Sequence, residues 1–256
     1  MKRLWFVILI FYFFQCDGIF SDDLLRIVDG DTLELKENGM IRYIGLDAPE
    51  VRKKTKTGWQ YHPEPYALEA KQYNKDFIDH HLIQLEFDQE HNDRYGRTLA
   101  YVFINQKMIN EEMLKQGLAT LLLIEPNVKY TERFILAQRS AMQKRQGVWN
   151  NLNKGLISLA KVKEYQEQSC QIQVQVQTIK QYANRMEWWL QDMDNFCLIF
   201  LATRWPFFYK NNFDLKKDWR NKKFIVSGFV TDYHKQLVMS MDDPMQFELI
   251  ETKEPI

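Results

Sequence analysis

The stretch LLRIVDGDTLEL (24–35) leaves the chain little conformational choice. Two short runs of Leu, Ile and Val suit a pleated, half-buried surface, and the Asp29-Gly30 pair between them accepts the backbone angles of a tight turn. The segment reads as strand, turn, strand. MIRYIGL (40–46) adds a third strand, and LIQLEF (82–87) and TLAYVFI (98–104) add two more.

Helical spacing fills the gaps between these strands. PYALEAKQYNKDFIDHH (65–81) sets Ala67, Ala70, Tyr73 or Asn74, and Phe77 on one face, with Pro65 suited to the first turn. NEEMLKQG (110–117) predicts a short helix with Asn110 as N-cap and Gly117 as its stop. TERFILAQRSAMQKRQG (131–147) predicts a third, capped by Thr131 and ended by Gly147. The expected fold is mainly β with α: a five-stranded barrel of oligonucleotide-binding type with three helices.

Charged residues gather where these strands begin and end. IRYIGLDAPE (41–50) is an apolar strand carrying Arg42, Asp47 and Glu50, and such groups are rarely buried without partners. Asp31 follows the first turn, and Arg97 ends DRYGR (93–97). In a small barrel these strand ends converge on one rim. Carboxylate and carbonyl oxygens suit a hard cation such as calcium, and planar guanidinium forks suit phosphate. Acids for a metal, one acid for water and two arginines for phosphoryl charge describe a phosphodiesterase site.

The order and content of these motifs resemble the staphylococcal-nuclease-like (thermonuclease) family, over roughly residues 24–149. VDGDT (28–32), RYIGLDAPE (42–50), DRYGR and GVWN (147–150) carry the likeness. It implies Asp31, Asp47 and the Ala48 backbone carbonyl as calcium ligands. It also implies Arg42 and Arg97 as catalytic arginines, Glu50 as the acid that activates water, and Arg94 and Tyr95 near the substrate phosphate. The implied activity is cleavage of DNA and/or RNA at the P–O5′ bond, leaving 3′-phosphates. Where relatives stack bases on tyrosines, this chain has LLLIEP (121–126), so that aromatic platform is missing. A rival of another class is a non-catalytic nucleic-acid-binding module of the same fold, which would be expected to lack some of these residues; all are present.

Composition bears on the substrate. Lys plus Arg and Asp plus Glu balance at 34 each, so attraction to a polyanion has to be local. VRKKTKTGW (51–59) offers Arg52, Lys53 and Lys54 in what reads as a loop beside the proposed metal site, and these are expected to contact substrate.

At the other end of the barrel the character changes. Residues 151–170 read as a helical connector, and 171–256 as a second small β-barrel-like domain whose strand pattern suits the oligonucleotide-binding type. Its expected strands are CQIQVQVQTI, EWWLQ, NFCLIFLA, KFIVSGFVTDY and QLVMSM, with one helical insertion before the fourth. Trp188, Trp189, Phe207, Phe208, Tyr209 and the lysines of 216–223 are either a nucleic-acid surface or a core with a solvated face.

Residues 1–21 read as a signal peptide, because Lys2 and Arg3 precede an apolar run at 4–14 that is too short for a comfortable membrane span. The chain is therefore expected to be exported, periplasmic or secreted, with no stable membrane partner after signal removal; an uncleaved N-terminal anchor is the alternative, and Cys16 is a poor lipidation site. Loss of Cys16 would leave Cys170 and Cys197, either bridged or as two small hydrophobic residues in strands. The sequence leaves oligomeric state open.

Overall fold

The computed structural model describes residues 20–79, 81–233 and 235–250. The apolar run at 4–14 and Cys16 lie outside them. Among the described residues no helix is long and apolar enough to cross a membrane.

In the first half, β1 (Phe20–Asp22), β2 (Leu24–Ile27), β3 (Thr32–Leu35), β4 (Gly39–Tyr43) and β5 (Gly45–Asp47) come first. An exposed hairpin of β6 (Arg52–Thr55) and β7 (Gly58–Tyr61) follows, then α1 (Ala67–Ile78), β8 (Ile83–Glu86), β9 (Thr98–Ile104), β10 (Lys107–Met108), α2 (Ile109–Lys115), β11 (Thr120–Leu122) and α3 (Thr131–Lys144). The main sheet runs β1-β8-β9-β4-β3-β2. Only Asp23 separates β1 from β2, so the two ends of that sheet are one bent strand and the sheet rolls into a barrel. Its inward residues, among them Leu33, Ile41, Tyr43, Ile83, Ala100 and Val102, pack with Met113 and Phe134 of α2 and α3.

The second half repeats this plan. After a 3-10 helix (Gly147–Lys154), β12 (Leu156–Ile157) and a second 3-10 helix (Leu159–Tyr165), the strands are β13 (Gln168–Gln181), β14 (Arg185–Leu190) and β15 (Met193–Leu201). Then come α4 (Trp205–Lys210), β16 (Lys223–Tyr233), β17 (Gln236–Ser240) and β18 (Phe247–Ile250). The order β13-β14-β15-β17-β16 closes on itself because β13 also pairs with β16. Residues 168–175 of β13 face β16, and after an irregularity at 176–178 the rest faces β14; this bend serves the role that Asp23 serves in the first barrel. In both barrels the third and fifth strands are parallel (β4 with β9, β15 with β17).

Two barrels share one interface. Phe207 of α4 joins the core of the first barrel, and Trp149 lies edge-on to Phe229, centroids 6.1 Å apart. Arg139 of α3 grips Asp243 with both ends of its fork (2.6 and 2.8 Å). Arg204, 1% exposed, is 3.0 Å from Asp242, which also accepts from Gln138 (3.3 Å). Buried ions are tolerable only when paired in this way.

Several sequence expectations are corrected. Asn110 is not an N-cap: Met108 precedes α2, and the buried Asn110 amide instead accepts from Val102 N and donates to the Ile44 and Ala100 carbonyls. Tyr130, not Thr131, is the capping position of α3. The connector is helical only in its two 3-10 turns. Trp188, Phe207 and Phe208 are buried, so they are core and not a stacking surface. Cys170 and Cys197 are free, buried in separate clusters, and burial pushes both thiols up to about 12; they act as small hydrophobic residues.

Candidate active site

Asp31 owes its place to the turn before it. Val28 N and Asp29 N donate to the Thr32 carbonyl (3.0 and 3.2 Å), which closes the chain tightly. Gly30 sits where this turn meets β5 and α1: an added methyl would lie 2.6 Å from the Ala48 Cβ and 2.8 Å from the Ala70 Cβ, so any side chain would push the turn away. Asn74 of α1, fully buried, donates to the carbonyls of Asp29 and Gly30 (3.2 Å each) and accepts from the Tyr43 hydroxyl (2.8 Å). The turn is thus pinned by β4 and α1 together.

Arg42 lies opposite Thr32 in the β3–β4 pair. Its Nη1 is 2.9 Å from Asp31 Oδ2 and donates to the Leu46 carbonyl (2.9 Å), while Nη2 donates to Asp47 Oδ1 (2.7 Å). Asp31 Oδ2 also accepts from Ala48 N, and Oδ1 from the Thr32 hydroxyl, each at 2.8 Å. One guanidinium therefore draws the two carboxylates together, and the side chain that does so is 12% exposed. Burial pulls the Arg42 guanidinium down, but Asp31 and Asp47 more than offset it.

Negative charge exceeds what one arginine can balance. Burial, then Asp31 and Glu50, push the Asp29 carboxyl up to about 8. Burial and Asp31 push Asp47 up to about 6 against the pull of Arg42; with 56% of that side chain open to the cleft, the repulsion counts for more than the loss of water. Burial, Asp31 and Asp47 push Glu50 up to about 7. Such a surplus of hard oxygen charge fits a divalent cation. Among the described residues no three acidic, His or Cys side chains form a metal cage. The residues that could hold such a cation are Asp31 and Asp47, brought together by Arg42.

Arg97 stands apart from this cluster. Leu99 pairs with Arg42 in the parallel β4–β9 ladder, which puts Arg97 at the entrance of the neighbouring strand. Its Nε donates to Asp93 Oδ2 (2.7 Å), and Asp93 Oδ1 accepts from the backbone N–H groups of Tyr95 and Arg97 (2.9 Å each). Burial would raise Asp93, but these bonds hold it below its ordinary value. Tyr95 is 70% exposed, with the Arg94 and Arg97 guanidinium groups 4.8 and 5.7 Å from its ring centre.

The predicted loop at 51–59 is instead part of the β6–β7 hairpin, with Arg52 opposite Tyr61, Lys53 opposite Gln60 and Lys54 opposite Trp59. Its stem continues through His62 N to the Val51 carbonyl and Glu64 N to the Glu50 carbonyl, so Glu50 sits at the hairpin's base. On the far side of Asp47 a cavity of about 450 Å³ between the barrels is lined by Asp47, Glu64, Glu69 and Glu167 among others. That cavity is therefore acidic, whereas the hairpin is basic.

Comparison with known proteins places this geometry. A model of the staphylococcal nuclease homologue family matches residues 40–151. The thermonuclease of Staphylococcus hyicus is 37% identical over 131 residues, which span 50% of this chain and 75% of that protein. The chain belongs to the staphylococcal nuclease family. A second thermonuclease, from Staphylococcus intermedius, is 33% identical over 156 residues, covering 56% of this chain and 90% of its own length. Endonuclease YncB of Bacillus subtilis (strain 168) is 36% identical over 130 residues, covering 49% and 59%. The family match takes in Arg42, Asp47, Ala48, Glu50, the hairpin and Arg97, and the second barrel lies beyond it. Sequence reasoning missed Asn74 and Gln138 as supports of the site. Each is a polar residue inside an amphipathic helix pattern, and that misplacement was the only available signal. Gln138 is 3% exposed and accepts from Leu121 N (2.8 Å) in β11, the strand whose Thr120 pairs with Asp47.

Proposed function

We propose that the protein is a calcium-dependent nuclease that hydrolyses phosphodiester bonds of DNA and/or RNA by metal-assisted attack of water. The observation that carries this reading is the Arg42 fork holding Asp31 and Asp47 together beside Glu50. The names of the relatives, two thermonucleases and an endonuclease, support it. Asp31, Asp47 and the Ala48 carbonyl would hold the cation, which when bound supplies charge stabilisation at the phosphoryl oxygens. Glu50, whose carboxyl burial and the Asp31 and Asp47 charges raise in the metal-free site, would take the proton from the attacking water. Arg42 and Arg97 would meet charge developing on the phosphoryl group, Arg97 by exchanging Asp93 for phosphate. Arg94 and Tyr95 would contact the adjoining phosphate, and Arg52, Lys53 and Lys54 the strand beyond it.

Export goes with this reading. Lys2, Arg3 and the apolar run at 4–14 suit a secretory leader. A cut near Gly18 keeps β1 whole, whereas a cut after Ser21 removes most of it.

Chelation tests the metal. Turnover of a single-stranded oligonucleotide should vanish in excess chelator and return with calcium but not with zinc, because the cleft offers hard oxygen donors and, among the described residues, no Cys/His set forms a metal site. Undiminished cleavage in chelator would remove the metal from the mechanism.

A further inference from the structure

The β6–β7 hairpin carries two large aromatic side chains that the phosphate chemistry does not use. Trp59 is 64% exposed and Tyr61 66% exposed, on a hairpin that buries neither of them. In an antiparallel pair, residues directly opposite each other share a face, and so do residues two apart along a strand. Arg52 opposite Tyr61 and Lys54 opposite Trp59 therefore put two rings and two cations on one face, while Lys53 and Gln60 take the other. Leaving a Trp and a Tyr in water is unfavourable unless something covers them.

We infer that this face is a base-stacking subsite: Trp59 and Tyr61 receive unpaired bases of the strand being cut, and Arg52 and Lys54 hold the phosphates between them. The inference rests on the nuclease reading for the position of the scissile phosphate. Arg52 is two residues and Lys54 four residues beyond Glu50, so the rings lie roughly 7 and 13 Å from it along the strand. Aromatic faces with interleaved cations are the general means of holding single-stranded nucleic acid, since every base has a face to stack. Charge complementarity favours this occupant over a protein. The chain is neutral overall, yet 51–56 carries Arg52, Lys53, Lys54 and Lys56 with no acid among them. By contrast, the exposed large hydrophobic residues of 121–126, Leu122 and Ile124, are aliphatic and offer no aromatic face.

Steady-state kinetics and direct binding on the full chain test this together. Trp59→Ala and Tyr61→Ala should each raise KM for a thymidine oligonucleotide about tenfold, with kcat unchanged. Neither should change cleavage of a mononucleotide diester that has no base to place on the hairpin, and Trp59→Phe should restore most of the loss. Binding of the same oligonucleotide in chelator, followed by fluorescence anisotropy, should weaken in parallel. That readout separates the two readings: weakened binding in an inactive protein sinks the nuclease assignment and keeps the subsite, while intact cleavage with unchanged KM and affinity sinks the subsite alone. Equal losses on both substrates would also overturn it. So would binding of anionic phospholipid vesicles that depends on Trp59 and Tyr61 while oligonucleotide binding does not, since the face would then be a membrane contact.

Discussion

Replacing Glu50 with Gln is expected to lower kcat by roughly 10²–10⁴-fold without lowering the melting temperature, because it removes the proposed base and, with it, a carboxyl that its acidic neighbours already disfavour in the charged form. Arg42→Lys should cost a comparable factor, on the order of 10²–10³, through a different loss. Lysine keeps the charge but not the planar fork that reaches Asp31, Asp47 and the Leu46 carbonyl at once. Arg42→Ala is a poorer test, since it also leaves the buried Asp31 carboxylate short of its partner. Single-turnover cleavage of an oligonucleotide, with oligonucleotide affinity measured alongside, gives the needed split. If Glu50→Gln and Arg42→Lys both cleave at the parent rate, neither residue carries the chemistry; a parent protein that binds the oligonucleotide without cleaving it would be the rival binding module.

The second large effect falls far from the site. Asp242→Ala removes the carboxylate that faces Arg204 at 3.0 Å, and Arg204 is only 1% exposed. An orphaned buried guanidinium costs about 3–5 kcal/mol, which for a chain of this length lowers melting by roughly 10 °C. The double variant Arg204→Met, Asp242→Leu should recover much of that, because the penalty belongs to the unpaired charge and not to the lost attraction. Thermal unfolding followed by circular dichroism measures both. A single variant that melts with the parent would mean the pair is solvated after all. The same change frees Gln138, which now bonds both Asp242 and Leu121 N, so β11 and with it Asp47 lose a brace. Ending the chain near Leu152 would go further, leaving the Phe207 contact and the Arg139 fork without their partners; the two barrels are therefore expected to be less independent than their separate strand patterns suggest.

What could be read from the sequence follows from the range of each interaction. Strands of both barrels were legible because Ile172, Val174 and Val176, or Ile41 and Tyr43, alternate with polar neighbours under a purely local rule. Asp31, Arg42, Asp47 and Glu50 were legible because turns fix them at strand ends. The β6–β7 hairpin was not, since RKKT and GWQY face solvent on both sides and carry no apolar alternation. Asn110 misled because a polar residue ahead of an acidic turn looks like a cap. Only the pairing of Val102 N with its side chain shows that it is a buried tie between strand and helix. The contact of Arg139 with Asp243 joins residues 104 apart, and no local pattern announces it.

That separation also has a consequence in time. During synthesis the N-terminal barrel leaves the ribosome first, and α3 is complete about a hundred residues before Asp242 and Asp243 emerge, a lag on the order of 5–20 s. Through that interval Gln138 and Arg139 await carboxylates that do not yet exist, and the groove for Phe207 stands open. The nascent nuclease barrel should accordingly be soft until residues 242 and 243 emerge, and stiffen only then. Limited proteolysis of stalled chains whose sequence runs to 160 or to 256, each followed by a spacer long enough to fill the exit tunnel, would report it as rapid cutting around β11 in the first and protection in the second. The segment between β17 and β18 would then set the moment at which the first barrel becomes rigid.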